Sequence, residues 1–167
     1  MKVISFKNDI LPLKDKLFRL ALRITRNREE AEDIVQDTLM KIWSQRDNWS
    51  KIQNIETFSM TICRNRALDI QQKHERMVVS LDEETHDRPD NATPADEQMI
   101  QAQKFGAISK AISQLPEKQR TIIQLRDIEG KPYQEIADII GISLQDVKVN
   151  LFRARQKLKS TIGAEQN

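Results

Sequence analysis

Residues 133–159, YQEIADIIGISLQDVKVNLFRARQKLK, predict two helices joined by a short turn. Apolar residues of the first part recur at the spacing of one helical face: Tyr133, Ile136, Ala137 and Ile140. Gly141 is expected to end this helix, because glycine adopts the left-handed conformation without a steric penalty. Ser143 is a good N-cap for the second helix. This spacing predicts a helix-turn-helix.

The second helix has one apolar face and one polar face. The inner arc is formed by Val147, Leu151, Ala154 and Leu158. The outer arc carries amides, cations and two apolar groups: Gln145, Lys148, Val149, Phe152, Arg153, Gln156 and Lys159. Such a face suits a helix that enters the major groove of DNA. A plain amphipathic hairpin has the same periodicity, but it would leave Phe152 exposed between cations without a use.

The composition of the whole chain favours an all-α protein. Its 167 residues contain only four Gly and five Pro, and are rich in strong helix formers. The single Cys63 lies in an apolar helical context, so a buried structural thiol is favoured over a reactive one. The opening MKVISFKNDILPLKDK has no long apolar run, which predicts neither a secretory signal nor a membrane span.

The net charge of +2 is distributed unevenly along the chain. Residues 1–75 carry 14 Lys and Arg against 11 Asp and Glu, residues 76–100 carry 2 against 7, and residues 101–167 carry 11 against 7. Two basic lobes therefore flank an acidic middle that is poor in apolar residues. The predicted organisation is a domain at 1–76, a flexible linker at 77–98 and a helix-turn-helix domain at 99–167.

The first lobe contains two predicted amphipathic helices separated by a turn at residues 25–28. The first has an apolar stripe of Leu13, Leu17, Leu20, Ala21 and Ile24. The second, REEAEDIVQDTLMKIWSQR, has an inner side of Ala31, Val35, Thr38 and Ile42. Its remaining surface includes Asp33, Gln36, Asp37, Met40 and Lys41, which fits either a solvated face or a face that docks on another protein.

The stretch Asp47–Glu56 breaks the helical pattern, and a third helix is predicted from Thr57 as N-cap. Its apolar side is predicted to hold Phe58, Ile62, Ala67, Leu68 and Ile70, and its polar side Arg64, Asn65, Asp69, Gln72 and Lys73. Trp49, in a loop beside a basic helix, could stack on single-stranded bases. A loop tryptophan that caps a helical core is equally compatible with the pattern.

Three segments together resemble a bacterial RNA polymerase sigma factor of the small extracytoplasmic-function group. They are LALRITRNREEAEDIVQDTLMKIW, FSMTICRNRALD and LPEKQRTIIQLRDIEGKPYQEIADIIGISLQDVKVNLFRARQKL. The resemblance covers nearly the whole chain and implies two helical domains. It implies that the AEDIVQDTLMKIW helix docks on the β′ clamp helices of the polymerase. The contact candidates are Asp33, Gln36, Asp37, Met40 and Trp43, although Trp43 fits a core position equally well.

The resemblance also assigns DNA contacts to both domains. The loop from Trp49 to Glu56 and the RNRALD helix resemble the part that opens the promoter −10 element and holds a flipped base. The candidates there are Trp49, Arg64, Asn65, Asp69 and Lys73. The second helix of the helix-turn-helix would read the −35 duplex. Base-facing candidates are Lys148, Val149, Phe152 and Arg153, and phosphate-facing candidates are Asn150, Arg155 and Lys157.

The segment LPEKQRTIIQLRDIEG resembles the helix pair that sits on the β flap tip, with Pro116 at a helix start and Gly130 at its end. Two residues depart from the family pattern. Asp146 stands where Thr or Ala is usual, so it is either a helix-dipole partner or a source of phosphate repulsion. Val149 stands where a small polar residue is frequent, which leaves the base preference at that point open.

The predicted partners are RNA polymerase core, promoter DNA and an anti-sigma factor, which holds many small sigma factors inactive. No catalytic constellation, cofactor motif or small-molecule site is present in the sequence, and His74 and His86 lack partners at metal-ligand spacing. The predicted protein is a cytoplasmic non-enzyme, and the short sequence after Lys159 predicts no added sensory domain. Two alternatives stay open: an ordinary DNA-binding regulator, which would bind duplex DNA tightly by itself, and a protein-binding helical adaptor.

Overall fold

The computed structural model of the chain describes residues 3–81 and 104–166, and every regular element in these ranges is helical. The chain divides into two compact units, Met1–Asn91 and Ala92–Asn167. The predicted all-α class with two helical bodies is confirmed. Most of the predicted linker, including His86, lies outside the described residues.

The N-terminal unit is built on three long helices: α1 at Lys14–Thr25, α2 at Arg28–Ser44 and α3 at Ile55–Leu81. A π-helical turn at Phe6–Ile10 and 3₁₀ helices at Leu11–Leu13 and Arg46–Lys51 complete it. Helix α1 packs on both α2 and α3. Both predicted stripes are buried in this core: Leu13, Leu17, Leu20, Ala21 and Ile24 of the first, and Ala31, Val35, Thr38 and Ile42 of the second.

The predicted turn between α1 and α2 is confirmed, although the residue that makes it is unusual. Arg26 adopts the left-handed conformation with φ 57° and ends α1. Asn27 then caps α2, because its side-chain oxygen accepts the Glu30 N–H at 3.0 Å. Glu29 and Glu30 in the first turn also complement the helix dipole.

Helix α3 differs from its predicted start and face. It begins at Ile55 rather than at Thr57, and Asn54 accepts the Thr57 N–H at 3.0 Å in the role predicted for Thr57. The buried face consists of Ser59, Met60, Cys63, Arg64 and Ala67, of which only Ala67 belongs to the predicted apolar side. The other predicted residues, Phe58, Ile62, Leu68 and Ile70, are only partly covered. The helix also continues to Leu81, beyond the predicted domain end at residue 76.

The buried Cys63 thiol confirms the structural interpretation of this residue. It is fully buried and donates to the Leu17 carbonyl at 3.4 Å. Burial raises its pKa to about 12, against a smaller lowering by hydrogen bonds from Thr38 and Ala21. A thiol held in the protonated form in this way is a poor nucleophile.

We therefore expect Cys63 to react with a thiol reagent only after unfolding. An unfolded thiol titrates near pH 8.5, so above that pH the unfolded chain loses its proton first. The free energy of unfolding should consequently fall as the pH rises from about 9 toward 12. Reagent uptake with and without urea and urea titrations across this pH range measure both effects. Cys63→Ala should lose this part of the pH dependence, and rapid labelling of the native protein at pH 8 would contradict the prediction.

The C-terminal unit contains α4 at Lys104–Ser113, α5 at Glu117–Ile123, α6 at Tyr133–Ile140 and α7 at Leu144–Gln166. Helix α5 continues into a π-helical turn at Gln124–Ile128. Pro116 directly precedes α5, and Gly130 follows the π-helical turn with φ 73°. These are the predicted positions, at a helix start and a helix end. The core joins all four helices through Ile112, Ile122, Leu125, Ile136, Ile139, Val147, Leu151 and Ala154.

Within residues 3–81 and 104–166, no helix combines the length and the apolar character that a bilayer span requires. The same ranges contain no group of three or more His, Cys, Asp or Glu side chains arranged to hold a metal ion.

Candidate nucleic-acid interface

The turn between α6 and α7 is formed as the sequence predicts. Gly141 adopts φ 80°, and its N–H donates to the Ala137 carbonyl at 2.8 Å. The Ile142 N–H donates to the same carbonyl at 3.2 Å. Ser143 caps α7 by accepting the Asp146 N–H at 3.0 Å. Asp146 thus lies in the first turn of α7, where its charge complements the helix dipole.

Gly141→Ala should destabilise the C-terminal unit by about 1–2 kcal/mol, the approximate cost of the left-handed conformation for a residue with a Cβ. Strain is the cause rather than a clash, because an added Cβ would have no heavy atom within 4 Å. Hydrogen exchange of the α6 and α7 amides measures the loss. Gly163→Ala is the matched control: that Cβ also meets open space, but Gly163 lies within α7 without a positive φ. Equal effects of the two substitutions would contradict the argument.

Helix α7 presents two distinct faces. Val147, Leu151 and Ala154 are buried against the rest of the unit, and α7 packs on α4, α5 and α6. The opposite face is open, and Phe152 is 65% exposed there. A large aromatic side chain exposed on a polar helix face is costly to hydrate, so contact with a partner at this position would be favourable.

The predicted −35 contacts differ in how available their side chains are. Lys148, Arg153 and Lys157 are exposed, whereas Val149 and Asn150 are half-buried. Asn150 donates from Nδ2 to the Asp146 carbonyl at 2.8 Å, one helical turn earlier. The open face of α7 is therefore centred on Phe152 and the cations around it.

Arg155 is already engaged within the unit. Its Nε donates to Asp127 Oδ2 at 3.2 Å, and its Nη2 contacts the other carboxylate oxygen. The Asp127 hydrogen bond raises the pKa of the guanidinium. The phosphate contact predicted for Arg155 would have to compete with this carboxylate.

A second cationic arrangement lies at the start of α6. The Arg126 guanidinium is 4.2 Å from the centroid of the Tyr133 ring, and Lys148 Nζ is 5.8 Å from it. Arg126 also donates to the Lys131 carbonyl at 2.9 Å. Positive charge is thus brought to the edge of the open face of α7.

In the N-terminal unit, α2 and α3 form the walls of a cleft of about 430 Å³. Its lining consists of Asp37, Thr38, Met40, Lys41, Ile62, Asn65, Arg66 and Asp69. The structure therefore brings predicted polymerase contacts on α2 together with predicted −10 contacts on α3. Arg66 Nε donates to Asp37 Oδ2 at 3.0 Å across the cleft, and Met40 is 70% exposed.

The remaining −10 candidates lie in different environments. Asn65, Asp69 and Lys73 are exposed and follow one another at four-residue intervals along α3. Arg64 departs from the prediction, because its side chain is only 7% exposed and is packed within the unit. A buried guanidinium does not reach a DNA strand without rearrangement, so the sequence-based placement of Arg64 on the polar face is wrong.

Trp49 caps the helical core, which is one of the two interpretations left open by the sequence. Its Nε1 donates to the Ile42 carbonyl at 2.9 Å, near the end of α2. The Trp49 and Trp43 rings meet edge to face at 6.0 Å, and Trp43 meets Phe6 in the same way at 5.5 Å. Trp43 is nevertheless 49% exposed, so this aromatic cluster both supports the core and forms surface.

Sequence reasoning missed Arg66, Asp127 and Tyr133 as parts of these surfaces. Arg66 lies in the RNRALD motif, one helical turn from Ile62, so a helical projection from the cleft side could have found it. Asp127 and its partner are 28 residues apart, and no local pattern signals such a pair.

Comparison with known proteins gives two family matches, which follow each other along the chain in the order of the two units. The family description Sigma-70 region 2 matches residues 10–77, and Sigma-70, region 4 matches residues 105–158. The ECF RNA polymerase sigma factor SigE of Mycolicibacterium smegmatis is 31% identical over 146 residues, which cover 87% of this chain but 56% of that relative. The ECF RNA polymerase sigma factor SigL of Mycobacterium tuberculosis is 30% identical over 149 residues, which cover 87% of this chain and 82% of that relative.

Among solved structures, the sigma factor RpoE in complex with the anti-sigma factor NepR from Bartonella quintana is similar to this chain. It matches with a TM-score of 0.76 and 27% identity, over 95% of this chain and 96% of that one.

Proposed function

Since this chain belongs to the sigma-70 family, in its extracytoplasmic-function group, we propose that it directs RNA polymerase core to specific promoters and initiates transcription there. The family consists of DNA-binding transcription regulators, so the chemistry of RNA synthesis is assigned to the polymerase. The chain then acts where polymerase and chromosome meet, in the cytoplasm.

The C-terminal unit is proposed to read the −35 duplex through α7. The observation that carries this is the open face on which Phe152 is 65% exposed, beside Lys148 and Arg153. An aromatic side chain contacts a thymine methyl, and a guanidinium bonds to the acceptor edge of guanine. Lys148 and Val149 would complete the base-facing set, and Asn150 and Lys157 would approach phosphates.

The N-terminal unit is proposed to melt and capture the −10 single strand. Asn65, Asp69 and Lys73 supply donors, an acceptor and a cation on one exposed face of α3. Trp49 supplies an aromatic surface, and stacking contributes about 1–3 kcal/mol per base. That gain helps to offset the few kcal/mol needed to unstack a base from duplex.

Polymerase docking is proposed for the exposed side of α2, with Asp33, Gln36, Asp37 and Met40 on the β′ clamp helices. The flap tip of the β subunit would bind the α5 region. Met40 is the expected apolar anchor, because it is 70% exposed among charged side chains. An anti-sigma factor that covers these surfaces is the proposed inhibitor, as RpoE is solved in complex with the anti-sigma factor NepR.

In vitro transcription tests the proposal. Sigma-free bacterial core polymerase is incubated with this protein and with promoter fragments from the genome that encodes it. Specific start sites that appear only with the protein support the proposal and define both promoter elements. Core that binds the protein without any start site would contradict the initiating role. Failure to bind core, with tight duplex binding by the protein alone, would establish an ordinary regulator instead.

A further inference from the structure

Asp127 and Arg155 form an ion pair with two hydrogen bonds that joins the π-helical turn after α5 to α7. The Nε–Oδ2 distance is 3.2 Å, and the Nη2–Oδ1 distance is 2.5 Å. The planar guanidinium fork matches the two carboxylate oxygens, so such a pair fixes relative orientation as well as distance. Both side chains are partly exposed, Arg155 at 50% and Asp127 at 35%.

The neighbouring residue makes a second link to the same motif. Arg126 stacks over the Tyr133 ring at 4.2 Å and donates to the Lys131 carbonyl at 2.9 Å. Tyr133 is the first residue of α6. Arg126 therefore holds the first helix of the helix-turn-helix, and Asp127 holds the second.

We propose that Asp127 is a positioning residue for duplex recognition, which together with Arg126 sets the angle at which α7 presents Phe152 and Arg153 to DNA. Arg155 is then a positioning residue as well, and not the phosphate contact assigned to it from the sequence. This inference rests on the proposed function of α7 as the reader of the −35 element.

The exposure of the pair separates this role from a purely stabilising one. A solvent-exposed ion pair contributes little to the free energy of unfolding, whereas base contacts depend on the placement of side chains against base edges. Loss of the pair should therefore impair discrimination between sequences much more than it impairs folding.

The first test uses holoenzyme assembled from core polymerase and the full chain. The probes are a promoter fragment on which the wild-type holoenzyme initiates and the same fragment with its −35 element scrambled. Asp127→Asn should reduce the ratio of the two affinities about 5- to 10-fold, within the range set by one base contact. The salt dependence of binding should not change, and the charge swap Asp127→Arg with Arg155→Asp should restore part of the ratio.

Two results would overturn the proposal. In the first, Asp127→Asn strengthens binding to both fragments equally, and Arg155→Ala lowers the salt exponent by about 0.9, the effect of one lost phosphate contact on duplex. Arg155 would then be a phosphate contact restrained by Asp127. In the second, neither variant changes the affinity ratio.

A measurement without DNA or polymerase separates failure of the positioning role from failure of the proposed function. Spin labels at Lys118→Cys on α5 and Lys159→Cys on α7, both exposed positions, report how firmly α7 is held relative to α5 in a Cys63→Ala background. The distance distribution should broaden with Asp127→Asn and narrow again in the charge swap. Identical distributions would overturn the inference. If the wild-type protein initiates nowhere, the proposed function fails while this measurement still decides the positioning role.

Discussion

Reversing the charge of Arg153 should reduce initiation from promoters that depend on the −35 duplex by about 10- to 100-fold. One bidentate contact to a base is worth about 1–3 kcal/mol of discrimination, and a carboxylate in its place also repels the phosphates. Arg153 lies next to Phe152 on the open face of α7, and the side chain is exposed. The substitution therefore leaves the core of the unit intact, and the interaction it is expected to remove is the proposed one with DNA.

Run-off transcription with Arg153→Glu measures this effect, and binding of the variant to core polymerase should be unchanged. Lys110→Glu is the matched control, because it makes the same charge change at an exposed position on α4. If both variants lose activity equally, general electrostatic attraction would account for the result, and α7 would have no special role. If neither loses activity, the protein-adaptor alternative would gain support.

The helix-turn-helix was predictable because its signals are local. Gly141 ends α6 and Ser143 caps α7 within three residues of each other, and the apolar spacing around them matches the helical period. The exposure of Phe152 follows from the same period. Such features depend on neighbouring residues alone, so they can be predicted from a single sequence.

The face of α3 was not predictable in this way. Its core includes Ser59 and Arg64, which are polar, so apolar periodicity identified only part of the buried face, namely Ala67. Ser59 is accommodated because its hydroxyl donates to the Ile55 carbonyl at 2.7 Å. The protein matches a buried polar group to a partner, and the sequence does not show which polar residues have found one.

Long-range pairs limit prediction of the candidate site most strongly. The Arg66–Asp37 bond across the cleft and the Arg155–Asp127 pair join residues 29 and 28 positions apart. The first joins the polymerase candidate Asp37 to Arg66, which sequence reasoning had not placed on this surface. The second changes the role proposed for Arg155, because a phosphate would have to displace a carboxylate. Both conclusions required the packed arrangement of the helices.

Leu20→Ala should destabilise the N-terminal unit by about 2–5 kcal/mol, the usual range for removing a leucine side chain from a core. Leu20 is fully buried in α1, the helix that packs on both α2 and α3. Domains have a total stability of about 5–15 kcal/mol, so this single change should remove a large part of it. The sides of α2 and α3 proposed to bind polymerase and the −10 strand would be lost together.

Tryptophan fluorescence during urea unfolding isolates this effect, because the only two tryptophans of the chain, Trp43 and Trp49, both lie in the N-terminal unit. Leu11→Ala is the matched control, since it removes the same atoms from a side chain that is 41% exposed in the same unit. A shift no larger than that of the control would mean that α1 is not the centre of this core. A large shift of the fluorescence transition, with the helical circular-dichroism signal of the second unit retained, would show that the two units unfold separately. In that case the unit proposed to read the −35 duplex would persist after the unit proposed to dock on polymerase has unfolded.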